Sequence, residues 1–303
     1  MIRTFNAPSR LRRVAIGVLT LGLLSAGVLG GCSTLEESER GWIFQPRNLA
    51  TLGSVQTPEG MTEEWIGFQS KAAHGPAKLN ALWLPNDNPD APVMLFLHGA
   101  RWDVGSQSRR MRHMQGMGFS VLGIDYRGFG KTSNELPSEA YAYEDARAGW
   151  DWLAKHYPAK HRYIFGHSLG GAIAVNLASQ VSDASGLILE STFTSIPAVF
   201  QTFRWGWLPI TPLITQRFDA ASKIGQVKAP VLVVHGDEDG VILPALGRAL
   251  FDKAPEPKQF VLVPGGSHHS AGWRGEDQYR AALKSLFGID PSTTPDATLA
   301  AKS

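Results

Sequence analysis

The sequence predicts a doubly wound α/β domain, with a mostly parallel, eight-stranded sheet and a small helical cap inserted late in the chain. Three observations predict it. VMLFLHG (93–99), YIFGHS (163–168), LILES (187–191) and VLVVHG (231–236) are apolar runs without alternation, the pattern of strands buried on both faces of a parallel sheet. Segments of helical period separate them. Residues 192–228 break that rhythm and are too long for an ordinary connection.

Strands are expected at 64–70, 77–84, 92–97, 120–125, 162–166, 186–190, 230–235 and 259–263. The first two alternate, as a half-exposed antiparallel edge does. A helix is expected over 138–157, opened by Ser138 as N-cap and closed before Pro158. Its Ala142, Ala146, Trp150, Leu153 and Tyr157 fall on one face. Small residues over 170–180 suit a helix packed tightly on the sheet, and two more helices are expected at 243–253 and 275–287. The domain runs over 62–288, reached by an approach segment at 32–61. The cap over 192–228 carries Phe193, Phe200, Phe203, Trp205 and Trp207, and the Pro/Ser/Thr/Ala-rich tail at 289–303 is expected to be disordered.

The chain has 303 residues, 43% of them apolar, enough for one large core. Lys and Arg number 29 against 27 Asp and Glu, a net charge of +2, which argues against a strongly basic nucleic-acid binder. Four arginines and no acid lie in residues 1–31, so removing that segment leaves 25 against 27, or −2. Residues 1–13 are basic, and 14–31 form an uncharged, apolar or small stretch, the pattern of a secretory signal or an uncleaved anchor. The stretch ends Leu29-Gly30-Gly31-Cys32, with the chain's single cysteine. It resembles a bacterial lipobox. That resemblance implies lipidation of Cys32, removal of residues 1–31 and, from Ser33, anchorage to the outer membrane of the cell envelope.

Gly166-His167-Ser168-Leu169-Gly170 is a G-x-S-x-G pentapeptide between a predicted strand and a predicted helix, the setting of a nucleophile elbow. A serine nucleophile needs a base, and the base an orienting carboxylate, in the chain order Ser, acid, His. Asp237, Glu238 and Asp239 end one late strand, and His268 and His269 follow another. Asp239 is the chosen acid, with Asp237 and Glu238 as runners-up, and His268 is chosen over His269. An oxyanion needs two backbone donors; these are assigned to the amides of Leu169 and Ala100. His98 is read as structural.

FLHG (96–99), IDYRGFGKTS (124–133), GHSLGG (166–171), LILESTFTSI (187–196), APVLVVHGDED (229–239) and VPGGSHH (263–269) together resemble the α/β-hydrolase superfamily of serine hydrolases. Within it the chain is similar to the depalmitoylase-like, serine-aminopeptidase-like branch, over residues 62–287. The resemblance implies the α/β-hydrolase fold and a triad of Ser168, Asp239 and His268. Two positions depart from that branch: Ala100 and His269 each stand where it commonly has Asn. Arg101 and Trp102 are also unusual there.

Other chemistries find no support. A P-loop would need glycine at Asp125, and a dinucleotide fingerprint would need it at Ser133. Neither a zinc motif nor spaced ligands are present, so neither a cofactor nor a metal is expected. The expected function is hydrolysis of a carboxylic ester or thioester of a small-molecule or lipid acyl substrate. Acyl transfer by the same triad and a non-catalytic, lipid-anchored binding protein are the rivals. The sequence leaves the natural substrate and the oligomeric state open.

Overall fold

The computed structural model describes residues 34–46 and 56–290. The leader, Cys32 and residues 291–303 of the tail lie outside them. One sheet is built from β1 (Thr62–Ser70), β2 (Gly75–Leu84), β3 (Val93–Leu97), β4 (Ser120–Ile124), β5 (Arg162–His167), β6 (Gly186–Glu190), β7 (Val231–Gly236) and β8 (Lys258–Val263). Their spatial order is β1-β2-β4-β3-β5-β6-β7-β8. β1 and β2 pair antiparallel, β2 joins β4 antiparallel, and all later pairings are parallel. Every residue of β3, β4, β5, β6 and β7 is buried, whereas β1 is mostly exposed or half-buried. The unbroken apolar runs are thus the interior of the sheet and the alternating run its edge.

The helices are α1 (34–44), α2 (Ser108–Gly116), α3 (Glu139–His156), α4 (Leu169–Ala178), α5 (Ile196–Gln201), α6 (Pro244–Asp252), α7 (Ala271–Arg274) and α8 (Glu276–Phe287). α3 and α4 cover one face of the sheet, with Trp150, Leu153 and Ile173 in its core. α2 and α8 cover the other, with Met111, Met114, Tyr279 and Leu283. The Ser138 hydroxyl caps α3 by accepting from Tyr141 N–H at 3.1 Å. Ala142, Ala146, Trp150 and Leu153 form the buried face of α3, with Tyr157 half-buried just beyond it. All ten residues of α4 are buried, and their small side chains let its backbone lie close to the strands. The cap contains α5 and single 3-10 turns at Thr211–Leu213 and Ile224–Gln226.

Three helices have no counterpart in the sequence reading: α1, α2 and the single turn α7. α2 carries Arg110, Met111 and Met114 inward among polar neighbours, which blurs its period. α1 lies within the approach segment. Its last residue, Phe44, is fully buried, with its ring 5.5 Å from that of Phe218 and 6.3 Å from that of Phe129.

Candidate active site

The loops after β3, β5, β7 and β8 all leave the carboxyl ends of parallel strands, the end at which open α/β sheets bind ligands. They bring Ala100, Ser168, Asp239 and His268 together. Ser168 stands between β5 and α4 at φ 55°, ψ −121°, in the positive-φ region that L-residues rarely occupy. Its neighbours permit the turn. A Cβ on Gly166 would fall 2.3 Å from the Gly170 carbonyl oxygen, and one on Gly170 would fall 2.1 Å from that of Leu97. Ser168 N–H donates to Glu190 O at 2.9 Å, and the Thr192 hydroxyl donates to Ser168 O at 2.9 Å. The strained residue is therefore tied down on both sides.

His268 Nδ1 lies 2.8 Å from Asp239 Oδ2, and its Nε2 lies 3.1 Å from Ser168 Oγ. An ionised carboxylate only accepts. Nδ1 therefore carries the proton, and Nε2 presents its lone pair to the serine hydroxyl. Asp239 Oδ1 accepts from the amides of Val241 at 2.9 Å and Ile242 at 2.8 Å, and His235 Nε2 lies 3.3 Å from Oδ2. Burial pushes this carboxyl up. The hydrogen bonds from His235, His268 and Ile242 outweigh burial and hold it well below the usual carboxylate range. Asp239 is thus a fixed anion beneath the imidazole.

The remaining sequence candidates are not joined to this chain of hydrogen bonds. Asp237 accepts from Gly265 N–H at 2.7 Å, and Glu238 is exposed. His269 is exposed, lines the same cavity, and its imidazole is pushed below its usual range by burial and by His268. His98 is buried, with Nδ1 2.7 Å from Gly99 O and its ring against Tyr126, which is a structural setting.

Leu169 opens α4, so its amide has no intrahelical acceptor. Ala100 follows Gly99, where an added Cβ would lie 3.2 Å from Ser168 Cβ. The loop therefore passes close over the serine. The next residue, Arg101, sits at φ 79° and donates its amide to Phe44 O of α1 at 2.9 Å. α1 thereby holds the loop that carries Ala100. It also holds the cap: Glu39 accepts from the Thr215 amide at 2.8 Å, the Thr215 hydroxyl at 2.7 Å and the Gln216 amide at 2.9 Å.

The cavity above Ser168 measures about 270 Å³ and is walled by Trp42 and Ile43 of α1, Phe193, Ile196, Phe203 and Ile242. Its polar lining residues include Gln45, Arg101, Gln107 and three histidines, and among the described residues lining it there is no Asp or Glu.

Comparison with known proteins follows the same lines. The family described as serine aminopeptidase, S33 matches residues 87–218. An uncharacterized protein of Mycobacterium tuberculosis is 38% identical over 181 residues, 59% of this chain and 63% of that protein. The lysophosphatidylserine lipase ABHD12 of Danio rerio is 31% identical over 263 residues, 78% of this chain and 65% of that one. The matches thus span just under two thirds of these relatives' lengths. An esterase of Pyrococcus furiosus superposes with a TM-score of 0.60 at 17% identity, covering 79% of this chain and 97% of that one. The chain has the α/β-hydrolase fold.

Within that fold, three supports went unread in the sequence. His167, buried beside the serine, has Nε2 3.0 Å from His268 O. A carbonyl only accepts, so Nε2 carries the proton, and burial holds the ring neutral by pushing its pKa well below the usual value. Arg110 of α2 forms a buried ion pair with Glu190 at the end of β6, and its other nitrogen lies 3.4 Å from His269 O. The only sequence signal for this pair was a charged residue closing the apolar run LILE. The third support is α1, whose wall of the cavity has no local motif.

Proposed function

We propose that the protein is a lipid-anchored serine hydrolase that cleaves carboxylic ester or thioester bonds through an acyl-enzyme on Ser168. The observation that carries this reading is the unbroken hydrogen-bond chain from Ser168 Oγ through His268 to Asp239, on a strained elbow at the floor of an apolar cavity. His268 Nε2 takes the hydroxyl proton as Oγ attacks the acyl carbon, and Asp239 stabilises the resulting imidazolium. The Ala100 and Leu169 amides receive the oxyanion. The imidazolium then protonates the departing alcohol or thiol. Water, deprotonated by the same Nε2, attacks the acyl-enzyme and releases the acid.

An aminopeptidase must bind a substrate ammonium group, for which a carboxylate is the natural partner. The cavity lining offers Arg101 and histidines instead of an acid, which favours acyl substrates. The apolar run before Cys32 supports anchorage to the bacterial envelope at the outer membrane. The Danio rerio relative is named for a lysophospholipid substrate, in keeping with a lipid acyl group here.

Fluorophosphonate labelling of wild type beside Ser168→Ala tests the chemistry. Labelling of wild type that vanishes in the variant is expected, and folded wild type that resists the probe overturns the reading. Turnover of peptides without turnover of any ester or thioester overturns the substrate class. Mass spectrometry of the membrane-bound protein should find Cys32 acylated and residues 1–31 absent; an unmodified Cys32 overturns the lipid anchor.

A further inference from the structure

The mouth of the cavity carries a surface feature that the triad does not use. Phe203 and Trp42 meet edge to face at 6.3 Å across it, and both are half-exposed. From this pair, exposed apolar side chains run in two directions. Along the cap lie Trp205, Trp207 at 72% exposure and Leu213 at 75%. Along α1 lies Leu35 at 71%. Leu35, Glu39 and Trp42 are spaced four and three apart and share a helix face. Glu39, between the other two, is bound to Thr215 and Gln216. The α1 stripe therefore flanks the cap stripe, and the two make one rim. Apolar side chains gathered this way mark a contact surface.

We propose that this rim docks on a phospholipid bilayer surface, so that the cavity opens onto the membrane. Two observations select a bilayer as the occupant. First, the chain outside the described residues holds the uncharged apolar stretch 14–31 and Cys32, and it enters the structure at residue 34, the start of α1. From residue 34 to Trp42 the helix rises only about 12 Å. With the two chain steps from Cys32 to the start of α1, any anchor formed by 14–32 holds the mouth within about 20 Å of the bilayer. Second, the rim is rich in tryptophan, whose apolar body and polar N–H suit the headgroup boundary.

The inference rests on the membrane-anchor reading of residues 14–32 and is independent of the chemistry at Ser168. Its consequence is that an acyl chain leaving the bilayer enters the cavity at the mouth that Trp42 and Phe203 wall. Glu39 and the Phe44–Arg101 hydrogen bond join the rim to the loop bearing Ala100.

The test uses the full chain with vesicles of phosphatidylethanolamine and phosphatidylglycerol. Trp207→Cys and, separately, Leu213→Cys carry an environment-sensitive fluorophore. Lys284→Cys is the control, on the last turn of α8, exposed and remote from the mouth. Both rim substitutions replace highly exposed side chains, and circular dichroism checks the fold. The rim labels should shift to shorter wavelength on vesicle binding and lose intensity to nitroxide lipids, while the control label changes little. Protein that floats with vesicles while its rim labels stay as water-accessible as the control overturns the docking and leaves the anchor intact. Protein that does not float overturns both. Rim labels buried by raising protein concentration without lipid also overturn the proposal, because a second copy then covers the rim.

Discussion

The floor of the cavity and its rim are built by opposite rules. At the floor, Asp239, His268, His167 and Glu190 are buried, and their hydrogen bonds fix them to one another or to backbone. The serine is held in a backbone conformation that its glycine neighbours alone permit. At the rim, Trp42, Phe203, Trp205 and Trp207 are largely exposed and held by few directed contacts. Reactive geometry demands rigid polar packing, whereas an apolar ligand asks only for apolar area. Substitutions should therefore act steeply at the floor and shallowly at the rim.

The largest contrast is at the nucleophile. Ser168→Ala should lower ester turnover by about 10⁴-fold or more with the fold retained by circular dichroism. Turnover within tenfold of wild type would mean that the floor is not the reactive centre.

The next contrast sets two arginines against each other. Arg110→Ala leaves the Glu190 carboxylate buried without its partner and should cost about 3–5 kcal/mol in urea unfolding. Arg204→Ala, on the exposed cap, should stay within about 0.5 kcal/mol. Replacing both members of the buried pair, Arg110→Met with Glu190→Leu, should recover much of the loss, because the penalty lies in the orphaned charge. Equal costs for the two arginine variants would erase the distinction between floor and rim.

A pH experiment sharpens the floor side. His167 is neutral in the fold because burial pushes its pKa well below the usual value. The unfolded chain protonates this histidine near its ordinary pKa of about 6.5 and the folded chain does not, so the unfolded state binds more protons and stability from this group is lost as pH falls below that point. His167→Gln keeps an N–H that can donate to His268 O but cannot titrate. The stability advantage of wild type over the variant should therefore shrink by about 2 kcal/mol between pH 6.5 and 5, and stay constant above 7. A difference that is flat across pH 5–8 would mean that His167 takes up its proton as readily in the fold as in the unfolded chain.

Legibility in the sequence follows the same division. Strands buried on both faces write themselves as apolar runs, so β3, β5, β6 and β7 fall within two residues of their expected limits. Ser168, Asp239 and His268 were legible because the elbow and the strand ends carry local signals and a chain order. Arg110 was not, because its partner is 80 residues away and nothing near it marks it as buried. α1 was missed because its apolar stripe is short. Phe44 reaches the core only through tertiary contacts with Phe129 and Phe218, and no periodicity encodes that.

The smallest expected effect is at the rim itself. Trp42 lines the cavity, and its ring meets Phe203. Trp42→Ala removes apolar area that a long acyl chain would cover equally in the ground state and the transition state. Such uniform binding changes KM and leaves kcat alone. At about 25 cal/mol per Å², losing some 40–60 Å² of contact raises KM about five- to twelvefold for a long-chain ester. A two-carbon ester that does not reach α1 should show no change. Equal losses in kcat for both esters would mean instead that Trp42 supports the loop bearing Ala100 through Phe44, and the boundary between floor and rim would then run through α1 ahead of Trp42.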